Sequence, residues 1–218
     1  MSGRVIFAGC GPGAADLLTL RAARAIAEAD IVVWGRALLD ESAVRDHARP
    51  DAEVIAWPPA TMREVDAAYD RACDENLTVV RLKSGDPAVF GQMEHELSAV
   101  RERGLAVEIV PGVSALGAAA AALGVELTTA GTLAIGAADG PRQVGAAVLF
   151  MPGGDGEAAA RALRAQGLGD TDPCVIAHRI SWPGELVVEC PLGELAERLD
   201  DLALGGMTLV LAGAPISR

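Results

Sequence analysis

Apolar residues in this chain fall in short runs separated by stretches with helical spacing. Val5–Gly9, Ile31–Trp34, Glu53–Ala56, Leu77–Leu82 and Val107–Val110 read as strands, each followed within a few residues by Gly or Pro. Leu20–Ala29, Met62–Glu75 and Phe90–Arg103 carry apolar positions at helical spacing, and a further helix follows Ser114. Strands linked through helices of this length imply crossover connections and a mostly parallel sheet.

The pattern changes near Gly124–Gly131. Thr132–Ile135 and Ala146–Met151 read as strands joined by a turn containing Gly and Pro, and Glu157–Ala165 as a helix. Cys174–Arg179 and Leu186–Cys190 read as strands around a Ser-Trp-Pro-Gly turn. Leu192–Leu199 follows as a helix and Met207–Ala212 as a last strand. Shorter connections and hairpin-like turns predict a second, mixed-sheet α/β domain. The boundary is expected at 124/125, giving domains of residues 1–124 and 125–218.

Composition narrows the function. Of 218 residues, 51% are apolar and only 3% aromatic, so the core must be built from Ala, Val, Leu and Ile. The net charge of −12 argues against a nucleic-acid surface, which needs clustered cations, but leaves room for a local basic pocket. Cys10, Cys73, Cys174 and Cys190 are widely spaced, without Cys-x-x-Cys or a nearby His. Reduced cytoplasmic thiols are expected, with no metal site. The N-terminus runs straight into a strand, and no apolar run is long enough for a membrane span, so neither a signal peptide nor a membrane partner is expected.

The candidate chemistry sits in three loops after predicted strands. Arg81-Leu82-Lys83-Ser84-Gly85-Asp86-Pro87 contains Lys83, the only lysine; the other 17 basic residues are arginine. Asp86-Pro87 has two readings: a helix N-cap followed by a first-turn proline, or part of a ligand loop. Gly9-Cys10-Gly11-Pro12-Gly13 suggests a dinucleotide fingerprint, but Ala14 stands where the third glycine belongs and Pro12 delays the helix, which argues against NAD. Pro111-Gly112-Val113-Ser114 repeats the small-residue arrangement. Such loops lie along the edge where open α/β sheets bind ligands. His47, His95 and His178 have no ligand-like spacing, and hydrolysis has no visible apparatus.

Taken together, these three segments resemble the tetrapyrrole (corrin/porphyrin) methyltransferases over almost the whole chain. Arg179-Ile180-Ser181-Trp182-Pro183-x-Glu185 and Glu126-Leu127-Thr128 are most similar to the precorrin-4 (carbon-11) branch; uroporphyrinogen methyltransferases usually show Gly-Thr where Ile180-Ser181 stands. The resemblance implies two α/β domains with a ligand cleft, a homodimer, and S-adenosylmethionine (SAM) as methyl donor, leaving as S-adenosylhomocysteine (SAH). It implies SAM contacts at Pro12, Ser84, Gly85, Asp86, Val89, Ser114 and Ala115. In the second domain they fall at Met151, Ile180, Ala212, Gly213 and Ala214. The expected acceptor is a precorrin, methylated at carbon 11 in cobalamin synthesis. Arg36, Arg81, Lys83, Arg142 and Arg179 are the candidates for its carboxylates. No general base is nominated: where some relatives carry an Asp after the second strand, this chain has Gly35. The segment Gly136–Gly145 is shorter than the family's substrate-holding segment. That keeps two alternatives open: methylation at another ring position, or a SAM-binding module with little turnover.

Overall fold

The computed structural model describes residues 3–129, 131–135, 144–150, 152 and 155–216, which form two compact α/β units, Met1–Ser114 and Ala115–Arg218. The first unit contains β1 (Arg4–Gly9), α1 (Leu20–Glu28), β2 (Ile31–Gly35), α2 (Glu41–Arg45) and β3 (Glu53–Trp57). It continues with α3 (Met62–Glu75), β4 (Thr78–Lys83), α4 (Glu94–Glu102) and β5 (Ala106–Val110). Its five strands are all parallel, in the order β3-β2-β4-β1-β5. Strand side chains alternate between faces. Ile6, Ala8, Val32, Trp34, Val80 and Leu82 pack on one side with Ala22 and Ile26 of α1 and Val44 of α2. Val5, Phe7, Ile31, Val33 and Val79 pack on the other with Val65 and Tyr69 of α3 and Leu97 of α4.

Local capping sets several boundaries. Thr19 caps α1 by accepting from the Ala22 amide at 3.1 Å. Thr61 and Glu64 form a reciprocal capping box at the start of α3. Asp40 caps α2, a one-and-a-half-turn element too short to show a periodic signal. The expected helix from Phe90 begins only at Glu94. Phe90 and Gln92 have φ of 59° and 47°, left-handed values that a right-handed helix cannot contain.

The second unit holds α5 (Ala115–Leu123), β6 (Leu133–Ile135), β7 (Ala146–Phe150), α6 (Gly156–Ala165), β8 (Pro173–His178), β9 (Leu186–Pro191), α7 (Leu195–Leu202) and β10 (Thr208–Gly213). The sheet is mixed, in the order β6-β7-β10-β8-β9. β8 and β9 form the expected antiparallel hairpin. β6 and β7 do not: they pair in parallel, Leu133 opposite Ala146, so the two strands are not the arms of a hairpin. The division between units falls at Ser114/Ala115, earlier than the expected 124/125. The reason is packing: Ala119 and Leu123 of α5 sit against Val148, Val175, Leu209 and Leu211, on one face of the second sheet.

Candidate functional site

β4, β1 and β5 are neighbours, so the loops after them emerge side by side at the C-terminal edge of the first sheet. They are locked together through the backbone. The Cys10 amide donates to the Lys83 carbonyl at 2.9 Å, and Gly11 and Gly85 exchange amide–carbonyl bonds of 3.3 and 2.9 Å. A Cβ on Gly9 would lie 2.6 Å from Gly112 Cα, and one on Gly112 would collide with the Gly85 carbonyl. Gly11 and Gly85 have φ of 77° and 57°. Gly9, Gly85 and Gly112 therefore meet where no side chain fits, and their close backbone contact holds the ends of β1, β4 and β5 together.

Asp86 accepts from the Ala88 amide (2.8 Å) with one carboxylate oxygen and from the Gly112 amide (3.3 Å) with the other. It caps no helix; it turns its own loop and ties that loop to the one after β5. Two further lone pairs of the carboxylate stay available to a ligand. The Ser84 side chain beside it is exposed, Val89 and Ser114 are half-buried, and Pro12 is buried beneath the edge.

Arg81 and Lys83 do not line this edge as free cations. In β4 they share a face with Val79, and that alternation turns both inward, to 5% and 8% exposure. Both bind Glu96 of α4: Arg81 Nε donates at 2.7 Å and Lys83 Nζ at 2.8 Å. Tyr69 of α3 donates its hydroxyl to the same carboxylate at 2.9 Å. Burial alone would raise the Glu96 carboxyl, but the hydrogen bonds and charges of Arg81 and Lys83 outweigh it and bring it to about 2. Burial also lowers Lys83, and Glu96 offsets this only in part. The asymmetry is physical: the carboxylate has two cationic partners, and the lysine shares its single anion with Arg81. The cluster anchors both ends of the loop at 84–93, through β4 before it and α4 after it. Arg36 is exposed at the end of β2, its amide bonded to the Trp57 carbonyl at 3.1 Å. Burial pushes the nearby Cys10 thiol up to about 12, so it offers no thiolate.

In the second unit, Arg179, Ile180, Ser181 and Trp182 form a tight turn after β8. Arg179 and Ser181 have φ of 52° and 69°, the Ser181 amide donates to Glu185 at 2.7 Å, and the Arg179 guanidinium lies 5.4 Å from the Trp182 ring centre. Ile180 is buried in the α5-facing core. Thr208 pairs with His178 and Ala212 with Cys174, which puts the Arg179 turn at one end of β10 and Ala212-Gly213-Ala214 at the other. Five residue steps of strand separate the ends by ~17 Å. The second-domain contact set expected from sequence is therefore split. Met207, whose carbonyl accepts from the Arg179 amide and whose φ is 66°, stands at the Ile180 end and was not anticipated. The only hint in the sequence is the Gly205-Gly206 pair before it. Met151 and Arg142 lie outside the described residues.

Among the described residues no three His, Cys, Asp or Glu side chains come close enough to hold a metal ion, and no helix is long and apolar enough to cross a membrane. The sequence signature of the tetrapyrrole (corrin/porphyrin) methylases matches residues 4–196. The chain belongs to the tetrapyrrole methylases. A precorrin-4 C(11)-methyltransferase from a Sinorhizobium species is 30% identical, covering 96% of this chain and 88% of its own length. The solved structure of a cobalt precorrin-4 methyltransferase superposes with a TM-score of 0.83, over 98% of this chain and 96% of the other, at 24% identity; that likeness concerns the fold. A uroporphyrin-III C-methyl transferase from Thermus thermophilus, solved with S-adenosylhomocysteine, matches with a TM-score of 0.77 and 29% identity, covering 98% of this chain and 99% of that one. Tetrapyrrole methylases are SAM-dependent C-methyltransferases, and the three glycine-locked loops of this chain fall within the matched region.

Proposed function

We propose that this tetrapyrrole methylase binds SAM on the loops after β1, β4 and β5 and transfers the methyl group to carbon 11 of a precorrin-4-type tetrapyrrole in cobalamin synthesis. The observation that supports the donor site is the locking together of the loops after β1, β4 and β5 through Gly9, Gly85 and Gly112 at the C-terminal edge of the sheet, where open α/β sheets bind ligands. Ser84 and Asp86 offer a hydroxyl and a carboxylate beside it, groups that suit the amine and ribose hydroxyls of SAM. In the second unit the reading keeps Ile180, with Met207 beside it, and Ala212–Ala214 at the opposite end of β10.

SAM supplies an electrophilic methyl group on a sulfonium sulfur. The chain's own part is positional. The locked loops fix the donor's place, and holding two reactants in attack geometry can contribute ~7–11 kcal/mol. No residue is needed to activate an enamine-like ring carbon that is already nucleophilic.

The carbon-11 assignment is supported by the likeness of the Arg179–Glu185 segment to the precorrin-4 branch and by the 30% identity to a precorrin-4 C(11)-methyltransferase. A homodimer and a cytoplasmic setting belong to the same reading. Incubation with precorrin-4 and methyl-labelled SAM, followed by NMR of the product, tests it. The label is expected on carbon 11. A label on another ring carbon, or methylation of uroporphyrinogen III instead, assigns the chain to a different branch. SAM binding without any transfer supports the binding-module alternative.

A further inference from the structure

Trp57 is the last residue of β3, on the same C-terminal edge that carries the three loops. Its indole is 40% exposed in a chain with only three tryptophans. The Arg81 guanidinium carbon lies 5.9 Å from the ring centre. Arg81 is itself buried and held by Glu96, so it forms a fixed support beneath the ring. The support is charged. Arg81 and Lys83 share one carboxylate, which leaves a surplus positive charge under an aromatic surface that faces solvent. A large aromatic side chain is costly to leave in water, and a rigid one backed by a cation is prepared for stacking. The guanidinium draws π density to its own side, which makes the rest of the ring a better partner for an electron-rich ring. Arg36, tied by its amide to the Trp57 carbonyl, adds an exposed cation on the adjoining strand end.

We propose that Trp57 is a stacking surface for a carboxylate-bearing pyrrole ring of the acceptor, with the Arg81–Lys83–Glu96 cluster supplying the positive field beneath it. This gives Arg81 and Lys83 a role at substrate without direct contact: they position and charge the platform. Pyrrole rings are electron-rich, and their acetate and propionate arms are anionic, so both properties of the platform match. The inference rests on the tetrapyrrole reading above.

The test is titration of the SAH-saturated protein with uroporphyrin III, a stable polycarboxylate tetrapyrrole, comparing wild type, Trp57→Ala and Trp57→Phe. Trp57→Ala is expected to weaken uroporphyrin binding on the order of 10-fold with SAH affinity unchanged, a loss typical of one stacked ring. Trp57→Phe should stay within about 3-fold of wild type, because it keeps an aromatic face. Unchanged uroporphyrin affinity in Trp57→Ala overturns the inference while leaving the tetrapyrrole reading standing. An equal loss of SAH affinity also overturns it, since the effect would then be general to the edge. A wild type that binds SAH but not uroporphyrin III also overturns the platform, while the tetrapyrrole reading is decided separately by the transfer assay with precorrin-4.

Discussion

Glu96 shows how one residue can decide the geometry of a loop it does not belong to. It accepts from Tyr69, Arg81 and Lys83 in a buried position, 7% exposed, and so joins α3, β4 and α4. Removing its charge leaves two buried cations without an anion, and Glu96→Gln should cost ~3–5 kcal/mol in denaturant unfolding. Lys83→Met leaves Glu96 paired with Arg81 and should cost clearly less. Equal losses would mean that charge balance is not what Glu96 provides. The pH dependence has a definite sign. The carboxyl is held at about 2 in the folded chain, so its contribution is complete above the unfolded value of ~4.3 and is lost as pH falls through the folded one. The stability gap between wild type and Glu96→Gln should therefore narrow from about pH 4.3 downward toward 2. None of this was legible from sequence. Lys83 stood out as the only lysine, but its direction depends on the register of β4, and its partner lies on the next helix.

At the scale of elements, the sequence was most informative where periodicity and turn chemistry agree. β1, β2, β4, α1 and α3 fall where the apolar pattern puts them, because each buries a continuous face and ends at a clear cap or glycine. It was least informative where tertiary structure overrides local signals. The β6–β7 pairing is parallel although the segment between them looks like a hairpin, and α4 starts late because Phe90 and Gln92 are left-handed. Asp86-Pro87 looked equally good as a helix cap and as a ligand loop; the bonds to Ala88 and Gly112 make it a cross-tie between loops. The same loop contact yields a prediction. Gly112→Ala would push a Cβ into the Gly85 carbonyl, a backbone atom that cannot rotate away. It should lower stability by ~1–3 kcal/mol, as overpacking does, and weaken SAH binding, both measurable on one preparation by thermal melting and calorimetry. Unchanged SAH affinity in a destabilised variant would mean that the glycine contact is structural only.

At the scale of the whole molecule, two α/β units were readable from the switch between helix-linked strands and shorter connections. The position of the break was not. α5 is so rich in Ala that its sequence does not say which sheet it serves, and packing assigns it to the second. The contact residues proposed for that unit show the same limit: Ala212–Ala214 and Ile180 look interchangeable in a motif, but antiparallel pairing of β8 and β10 sends them to opposite ends. A chain of net charge −12 is a poor host for a polyanion unless cations are concentrated locally, and the Arg81–Lys83 cluster with Arg36 near the loop edge is such a concentration. The central claim is that the edge formed by Gly9, Gly85 and Gly112 holds the methyl donor. Isothermal titration of the intact protein with S-adenosylhomocysteine tests it most directly. Saturable binding at one site per chain, lost or sharply weakened in Gly112→Ala, is the predicted result; a wild-type protein that shows no binding would contradict it.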